Sequence, residues 1–236
     1  MKTTKTSAKQ LGRSADMTAE DYDRYFTEYP SDSGRTVYRT ETAIELTRNS
    51  RGRALSVGAG NFGEADYIKK AGFDIEICDL SPKAVAKAHE KGYAAFAADI
   101  SEPLERCGYD FIFCMEVLEH VTNPLKALKN LADVLSPSGQ LIISLPNEFN
   151  LYRRLAILIG RPGIGGHEYH HLRFFDIKSA RTLIENAGLK IAGLKYTPLI
   201  PPRWRLLHPL GELLKTVRPQ LFALSSIWLL KKPENE

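Results

Sequence analysis

The residues of this 236-residue chain best suited to chemistry begin with Gly58-Ala59-Gly60-Asn61-Phe62-Gly63, directly after the apolar run Ala54–Val57. Glycine at the first and third positions lets the backbone turn tightly and approach a ligand that a Cβ would hold away. The GxGxxG spacing suits a nucleotide-type group seated at the start of a helix, and it equally suits a tight strand-to-helix turn that binds nothing. Asp79 stands 21 residues beyond Gly58, where a carboxylate can accept both hydroxyls of a ribose. Its other use would be to help cap a helix opening at Pro82, a task for which Ser81 is better placed. Asp99 closes a later apolar run and offers an acceptor to an adenine amino group. These residues point to a nucleoside-bearing cofactor, without separating a dinucleotide from an adenosyl sulfonium.

A different chemistry is available in His167-Glu168-Tyr169-His170-His171, which follows the glycine-rich Gly163-Ile164-Gly165-Gly166. Imidazole titrates near neutral pH and suits a general base, and a glycine-flanked loop can carry one over an acceptor. His170 and His171 are the catalytic candidates. The plainer alternative pairs His171 with local backbone and leaves the others in solvent.

The elements that must position these groups follow from the hydrophobic pattern. Short apolar runs at Ala54–Val57, Asp74–Asp79, Ala94–Ala98, Phe111–Met115 and Leu141–Leu145 read as strands, with Ile191–Tyr196 and Leu224–Leu230 as late ones. Phe111–Met115 is continuously apolar, as a central parallel strand should be. Helices fit between them: Glu64–Ala71, one opening at Ser81-Pro82 and ending at Gly92, one capped by Asn123-Pro124, and one from Asp176 to Gly188. In the third of these Leu125, Leu128, Leu131 and Leu135 share a face. Alternating strands and helices predict a doubly wound α/β fold, a mostly parallel sheet covered on both faces. Ligands of such sheets sit outside the carboxyl ends of the strands, where the strand order reverses.

Composition narrows the class. Apolar residues make up 43% and charged residues 25% of the chain, which excludes disordered, collagen-like and coiled-coil readings. No run approaches the roughly 18 apolar residues of a membrane helix, and the N-terminus lacks the apolar core of a secretory signal. Cys78, Cys107 and Cys114 are odd in number and have no CxxC spacing, so reduced thiols and a cytoplasmic location are expected. Charge is uneven: residues 1–50 are net neutral, 51–150 net −4 and 151–236 net +8. A basic C-terminal third suits an anionic or lipid-linked acceptor, or peripheral contact with anionic headgroups through Arg153, Arg154, Arg203 and Arg205. Its plainer reading is a solvated surface. Nucleic acid is not expected, because the basic residues are scattered rather than striped with aromatics. Residues 1–17 are polar, Thr18 and Asp21 suggest a helix start, and Tyr22, Tyr25, Phe26 and Tyr29 suit either a lid or a helix packed on the core. Near the C-terminus Leu213, Leu214 and Val217 have helical spacing, with Pro209 at the start.

The fourth apolar run leads into Glu116-Val117-Leu118-Glu119-His120-Val121. With the glycine turn, Asp79, Asp99, Ser136-Pro137-Ser138-Gly139, Leu145-Pro146-Asn147 and His171-Leu172-Arg173-Phe174-Phe175, the chain resembles the class I S-adenosylmethionine-dependent methyltransferases that act on small molecules. The resemblance spans residues 53–197. It implies a Rossmann-like seven-stranded sheet with an antiparallel last strand, and S-adenosylmethionine as cofactor. It assigns Gly58, Ala59 and Gly60 to the methionine moiety, Asp79 and Leu80 to the ribose, Asp99 and Ile100 to the adenine, and Met115 and Glu116 to flanking positions. Glu116, Glu119 and His120 resemble the divalent-metal site of quinone-type O-methyltransferases, although many relatives use the same residues only to order the loop. Two positions depart from the pattern. Ser56 stands where an acidic residue is usual, and Phe62 stands at the third glycine, where it is expected to pack rather than bind.

The resulting expectation is methyl transfer to a small-molecule acceptor, with oxygen favoured over nitrogen or carbon. Residues 1–50 form an N-terminal extension with lid helices, and 51–236 the methyltransferase domain, of which 151–220 cover the acceptor side. The rivals are an NAD-dependent dehydrogenase using the glycine turn and Asp79, and a non-catalytic methyltransferase-like partner protein. No feature of the sequence sets an oligomeric state.

Overall fold

In a computed structural model of the chain, residues 33–48, 50–58, 60, 62–161, 171–200 and 204–233 are described. Helix α1 (Ser33–Leu46) precedes β1 (Arg53–Val57), α2 (Gly63–Lys70), β2 (Asp74–Asp79), α3 (Pro82–Glu90), β3 (Ala94–Ala97) and β4 (Tyr109–Met115). A single 3₁₀ turn, Leu118–His120, leads to α4 (Pro124–Asp133), β5 (Leu135–Pro146), α5 (Leu151–Leu158) and α6 (Ile177–Asn186). The chain closes with β6 (Lys190–Pro198), α7 (His208–Val217), α8 (Pro219–Phe222) and β7 (Ala223–Lys231). The seven strands form one sheet in the order β3-β2-β1-β4-β5-β7-β6. β1 pairs in parallel with β2 and β4, and β7 runs antiparallel between β5 and β6.

The central strands are apolar throughout because both faces are covered. Along β4, Phe111, Phe113 and Met115 face the cluster built with α1, α2 and α3, while Ile112 and Cys114 face the one built with α4 and α6. This is the two-residue alternation of a strand. Ile112, Leu128, Leu131, Leu141 and Trp228 are completely buried, each such side chain stabilising the fold by roughly 1.5–3 kcal/mol. The helix starts carry the caps their sequences promise. Ser81 Oγ accepts from Ala84 N at 3.1 Å, Asn123 Oδ1 from Lys126 N at 3.0 Å, and Asp176 and Ser179 form a reciprocal capping box.

Several boundaries differ from the sequence reading. Helix α4 ends at Asp133, so Leu135 opens β5 instead of extending the helix face of Leu125, Leu128 and Leu131. β3 ends at Ala97, one residue early. β5 is longer than Leu141–Leu145 and contains the Ser136-Pro137-Ser138-Gly139 segment as an excursion, its pairing with β4 jumping from Tyr109–Leu135 to Phe111–Gln140. Gly139 is required there, since a Cβ would lie 2.8 Å from the Tyr109 carbonyl oxygen. Helix α5 had no anticipated counterpart. Helix α1 packs Ala43 and Leu46 into the core, and the tyrosine-rich stretch 22–29 lies outside the described residues.

Candidate active site

Strand order reverses between β1 and β4, and register fixes what stands at that point. Val57 pairs with Cys78 on one side and Cys114 on the other, so Gly58, Asp79 and Met115 sit one residue further on, in a row at the carboxyl edge. Ala97 opposite Asp79 and Ser144 opposite Met115 continue the row. Gly58 N donates to the Cys78 carbonyl at 2.8 Å. Gly58 has φ +83° and Gly60 φ +47°, conformations natural to glycine. A Cβ on Gly58 would lie 2.9 Å from Val117 Cγ2, whereas nothing lies within 4 Å of one on Gly60. The turn is thus closed against the protein at its first glycine and faces open space at the next. Ala59 lies outside the described residues. Phe62, also left-handed at φ +67°, is buried and stacked on Tyr93 with centroids 6.4 Å apart, which fits its expected packing role.

Asp79 is buried at the end of β2, and its Oδ1 accepts from Ser81 N at 2.8 Å. Ser81 meanwhile caps α3 through its Oγ, the task for which the sequence favoured it over Asp79. Leu80 between them is half-buried. Asp99 is exposed beyond β3, its Oδ1 accepting from Ser101 N at 2.8 Å. Ile100 is buried, and Asn130 Nδ2 donates to its carbonyl at 2.9 Å. Met115 packs beneath the row with Phe113 and Ile142.

Glu116 follows β4 in a left-handed conformation, φ +53°, which costs a non-glycine residue roughly 1–3 kcal/mol. Ser144 holds it there. Glu116 N donates to Ser144 Oγ at 3.0 Å, and Ser144 Oγ donates to Glu116 Oε1 at 2.9 Å. Arg39 of α1 approaches Glu116 Oε2 at 3.9 Å while donating to Glu64 of α2. Burial opposes the Arg39 charge, yet Glu64 and Glu116 outweigh it and raise its pKa. Burial likewise raises the Glu64 carboxyl in spite of Arg39. One arginine thus ties α1, α2 and the end of β4 together.

The Glu116, Glu119 and His120 triplet separates. Glu116 is engaged by Ser144, and the 3₁₀ turn brings Glu119 and His120 to His171 instead, with one ligand atom from each within 4.8 Å of the others. The rings of His120 and His171 meet edge to face at 4.9 Å. Leu172 N and Arg173 N donate to the Glu119 carbonyl at 2.8 and 3.0 Å, clamping the 171–173 segment onto the turn. Glu119 is fully buried and neither carboxyl oxygen has a hydrogen-bond partner. Burial first, then the neighbouring Glu116, pushes its pKa well above the usual carboxylate range. Such a group is either protonated or compensated by a cation.

His171 is also held from behind, its Nδ1 2.7 Å from Oε1 of buried Glu148. Glu148 Oε2 meets Arg153 at 3.0 Å. A carboxylate only accepts, so Nδ1 donates, and in the neutral imidazole the lone pair is then on Nε2. His170 and the remaining histidine-rich loop lie outside the described residues, as does Arg203. The sequence reading did not single out Arg39, Ser144 or Glu148. Glu148 had a signal, since it follows the carboxyl end of β5, whereas Arg39 is an isolated cation on a helix before the sheet and had none.

Chemistry at Cys78 and Cys114 is disfavoured: burial, then Asp79 and Asp99, pushes the Cys78 thiol up to about 12, and burial raises the Cys114 thiol well above its ordinary value. Two open clefts of about 440 and 500 Å³ beside α1 contain none of the strand-end residues above.

A family model for a methyltransferase domain matches residues 34–193. A ubiquinone biosynthesis O-methyltransferase of Ralstonia nicotianae is 31% identical over 186 residues, covering 71% of this chain and 76% of that protein. Among solved structures, a SAM-dependent methyltransferase from Archaeoglobus fulgidus superposes with a TM-score of 0.64 at 15% identity, over 89% of this chain and 99% of that one. The magnesium protoporphyrin IX methyltransferase of Synechocystis, solved with bound SAH, gives 0.59 at 15% identity, over 90% and 93%. At these identities the structural likenesses speak for the fold.

Proposed function

The chain belongs to the class I S-adenosylmethionine-dependent methyltransferases, and from that premise we propose that its acceptor is an oxygen nucleophile on a small molecule. Family membership displaces the dehydrogenase and the non-catalytic scaffold considered above. S-adenosylmethionine, when bound, supplies a methyl group already activated on a sulfonium. The chain's part is then to hold two molecules in line and to manage a proton, and positioning of this kind can supply roughly 7–11 kcal/mol.

The residues present fit that cofactor. At Gly60 the turn leaves bare backbone facing open space, where a side chain would stand in a ligand's way. In our reading Gly58 and Gly60 receive the methionine end, with Ala59 between them, and Asp79 beside Leu80 takes the ribose hydroxyls. Asp99 with Ile100 receives the adenine, and Met115 and Glu116 flank the cofactor from β4. Arg39 ties Glu116 to Glu64 of α2 beside these positions.

The observation that carries oxygen as the acceptor is the held imidazole. An alcohol or phenol must lose its proton as it is methylated, while an amine can react neutral. His171, with Nδ1 committed to Glu148, presents a basic Nε2 for that proton, and the name of the Ralstonia relative agrees with O-methylation. A second reading rests on the Glu119, His120 and His171 cluster. These residues would hold a divalent cation, which would polarise the acceptor oxygen. The net +8 of residues 151–236 favours an anionic or lipid-linked acceptor.

Incubation with methyl-labelled donor and paired acceptors, each phenol matched with its aniline, tests the reading. Label should accumulate on the phenol oxygen. Preferential labelling of nitrogen or ring carbon would refute it.

A further inference from the structure

Every large apolar side chain that is exposed among the described residues lies between 149 and 217. Two elements carry most of them. In α5 only Ala156 is buried, leaving Tyr152, Leu155, Ile157 and Leu158 in solvent, Leu158 80% exposed, with Ile159 just beyond. On α7 and the turn before it, Leu206, Leu210, Leu213 and Val217 recur at intervals of four, three and four, one face of a helix. That face is held outward by what fixes the other one. Gly211 packs so closely on Ile200 that a Cβ would lie 2.8 Å from it, Tyr38 donates to Glu212 at 2.7 Å, and His208 meets the Tyr38 ring.

Both elements leave the sheet at the same end. α5 follows the carboxyl end of β5, and Asn147 at that end donates to the carbonyls of Gln220 and Ala223, where α8 passes into β7. Leu199 N donates to the Phe222 carbonyl in the same crossing. This is also the end at which Gly58, Asp79 and Met115 are aligned. Exposed Arg154, Arg161, Arg205 and Arg218 punctuate the apolar segments, in a third of the chain that is net +8. No helix among the described residues is long and apolar enough to cross a membrane.

We propose that α5 and the Trp204–Val217 segment form a docking surface for an anionic lipid bilayer, lying on the membrane with the strand ends turned towards it. Charge selects this occupant. An apolar face set among arginines matches an interface of hydrocarbon beneath anionic headgroups, whereas a second copy of the chain would bring the same positive charge against itself. The proposal is independent of which acceptor is methylated.

Flotation with vesicles of equimolar phosphatidylglycerol and phosphatidylcholine, against vesicles of phosphatidylcholine alone, provides the test. Binding should be at least about tenfold stronger to the anionic vesicles and weaken as salt shortens the Debye length from about 10 Å at 0.1 M to about 3 Å at 1 M. Trp228 is fully buried and Trp204 exposed, so a blue shift of emission on binding reports Trp204 and should vanish in Trp204→Phe. Leu158→Glu with Leu213→Glu should reduce vesicle binding about tenfold or more while calorimetry with S-adenosylhomocysteine stays as in the parent, which shows the fold and cofactor site intact. Equal binding to both vesicle types, binding unaffected by the double substitution, or full-length protein left unbound would overturn the proposal. So would a dimer that the double substitution dissociates in the absence of any vesicle binding.

Discussion

His171 Nδ1 stands 2.7 Å from Oε1 of Glu148, whose side chain is 2% exposed and whose other oxygen is paired with Arg153. The relationship fixes both the orientation and the tautomer of the imidazole, as second residues do for catalytic and metal-bound histidines.

If His171 accepts the acceptor's proton, His171→Ala should lower kcat by roughly 10²–10⁴. Glu148→Gln should also lower kcat, because an amide can present its NH₂ to Nδ1 and favour the wrong tautomer. Neither should change the affinity for S-adenosylhomocysteine, measured by calorimetry, since neither is among the residues assigned to the cofactor. Turnover within twofold of the parent in His171→Ala would remove the imidazole from the chemistry.

Asp79→Asn tests the ribose contact. Asparagine retains the oxygen that accepts from Ser81 N, so the turn into α3 survives, but it loses the charge. A hydrogen bond to a charged group contributes about 1.5–3 kcal/mol, so affinity for S-adenosylhomocysteine should fall roughly tenfold to a hundredfold. An unchanged dissociation constant would place the ribose elsewhere.

The two glycines of the turn should respond differently to alanine. At Gly58 the new Cβ meets Val117 at 2.9 Å as well as a positive φ, so Gly58→Ala should destabilise the fold by about 1–3 kcal/mol, visible as a drop of roughly 2–4 °C in Tm per kcal/mol. At Gly60 the Cβ enters open space. Gly60→Ala should therefore cost less stability and chiefly impair cofactor binding. Equal loss of Tm in both, with cofactor affinity intact in Gly60→Ala, would mean that the turn is purely structural.

The site was readable where one strand end, one turn and one cap each sit within a few residues. The Gly58 turn, Asp79 at the end of β2, and the Ser81, Asn123 and Asp176 caps are local facts of sequence, and local sequence decided them. What was hidden depends on contacts across the chain. Glu119 and His120 join His171, 51 residues beyond His120, rather than Glu116, three residues before Glu119, because Glu116 is drawn into a left-handed turn by Ser144 of the neighbouring strand. Arg39 reaches the site from a helix outside the alternating pattern. Helix α5 buries only Ala156, so the pattern of the core gave no sign of it.

Glu119 gives the fold a pH dependence whose sign is fixed. Its carboxyl is wholly buried, makes no hydrogen bond from either oxygen, and has a pKa raised first by burial and then by Glu116. Between the unfolded value of about 4.3 and the raised folded value, the native state binds a proton that the unfolded chain has released. Its contribution is therefore full below the unfolded pKa and is lost as pH rises through the folded one. Glu119→Gln has no proton to lose, so urea midpoints of parent and variant should converge, or cross in the variant's favour, as pH is raised from 5 to 8. Parallel curves would show that Glu119 titrates as an ordinary carboxylate. The same measurement tests a cation among Glu119, His120 and His171. Magnesium or manganese should then restore the parent's midpoint at pH 8 by preferential binding to the native state and leave Glu119→Gln unmoved, whereas equal response, or none in either, would leave Glu119 a protonated acid and His171 without a metal beside it.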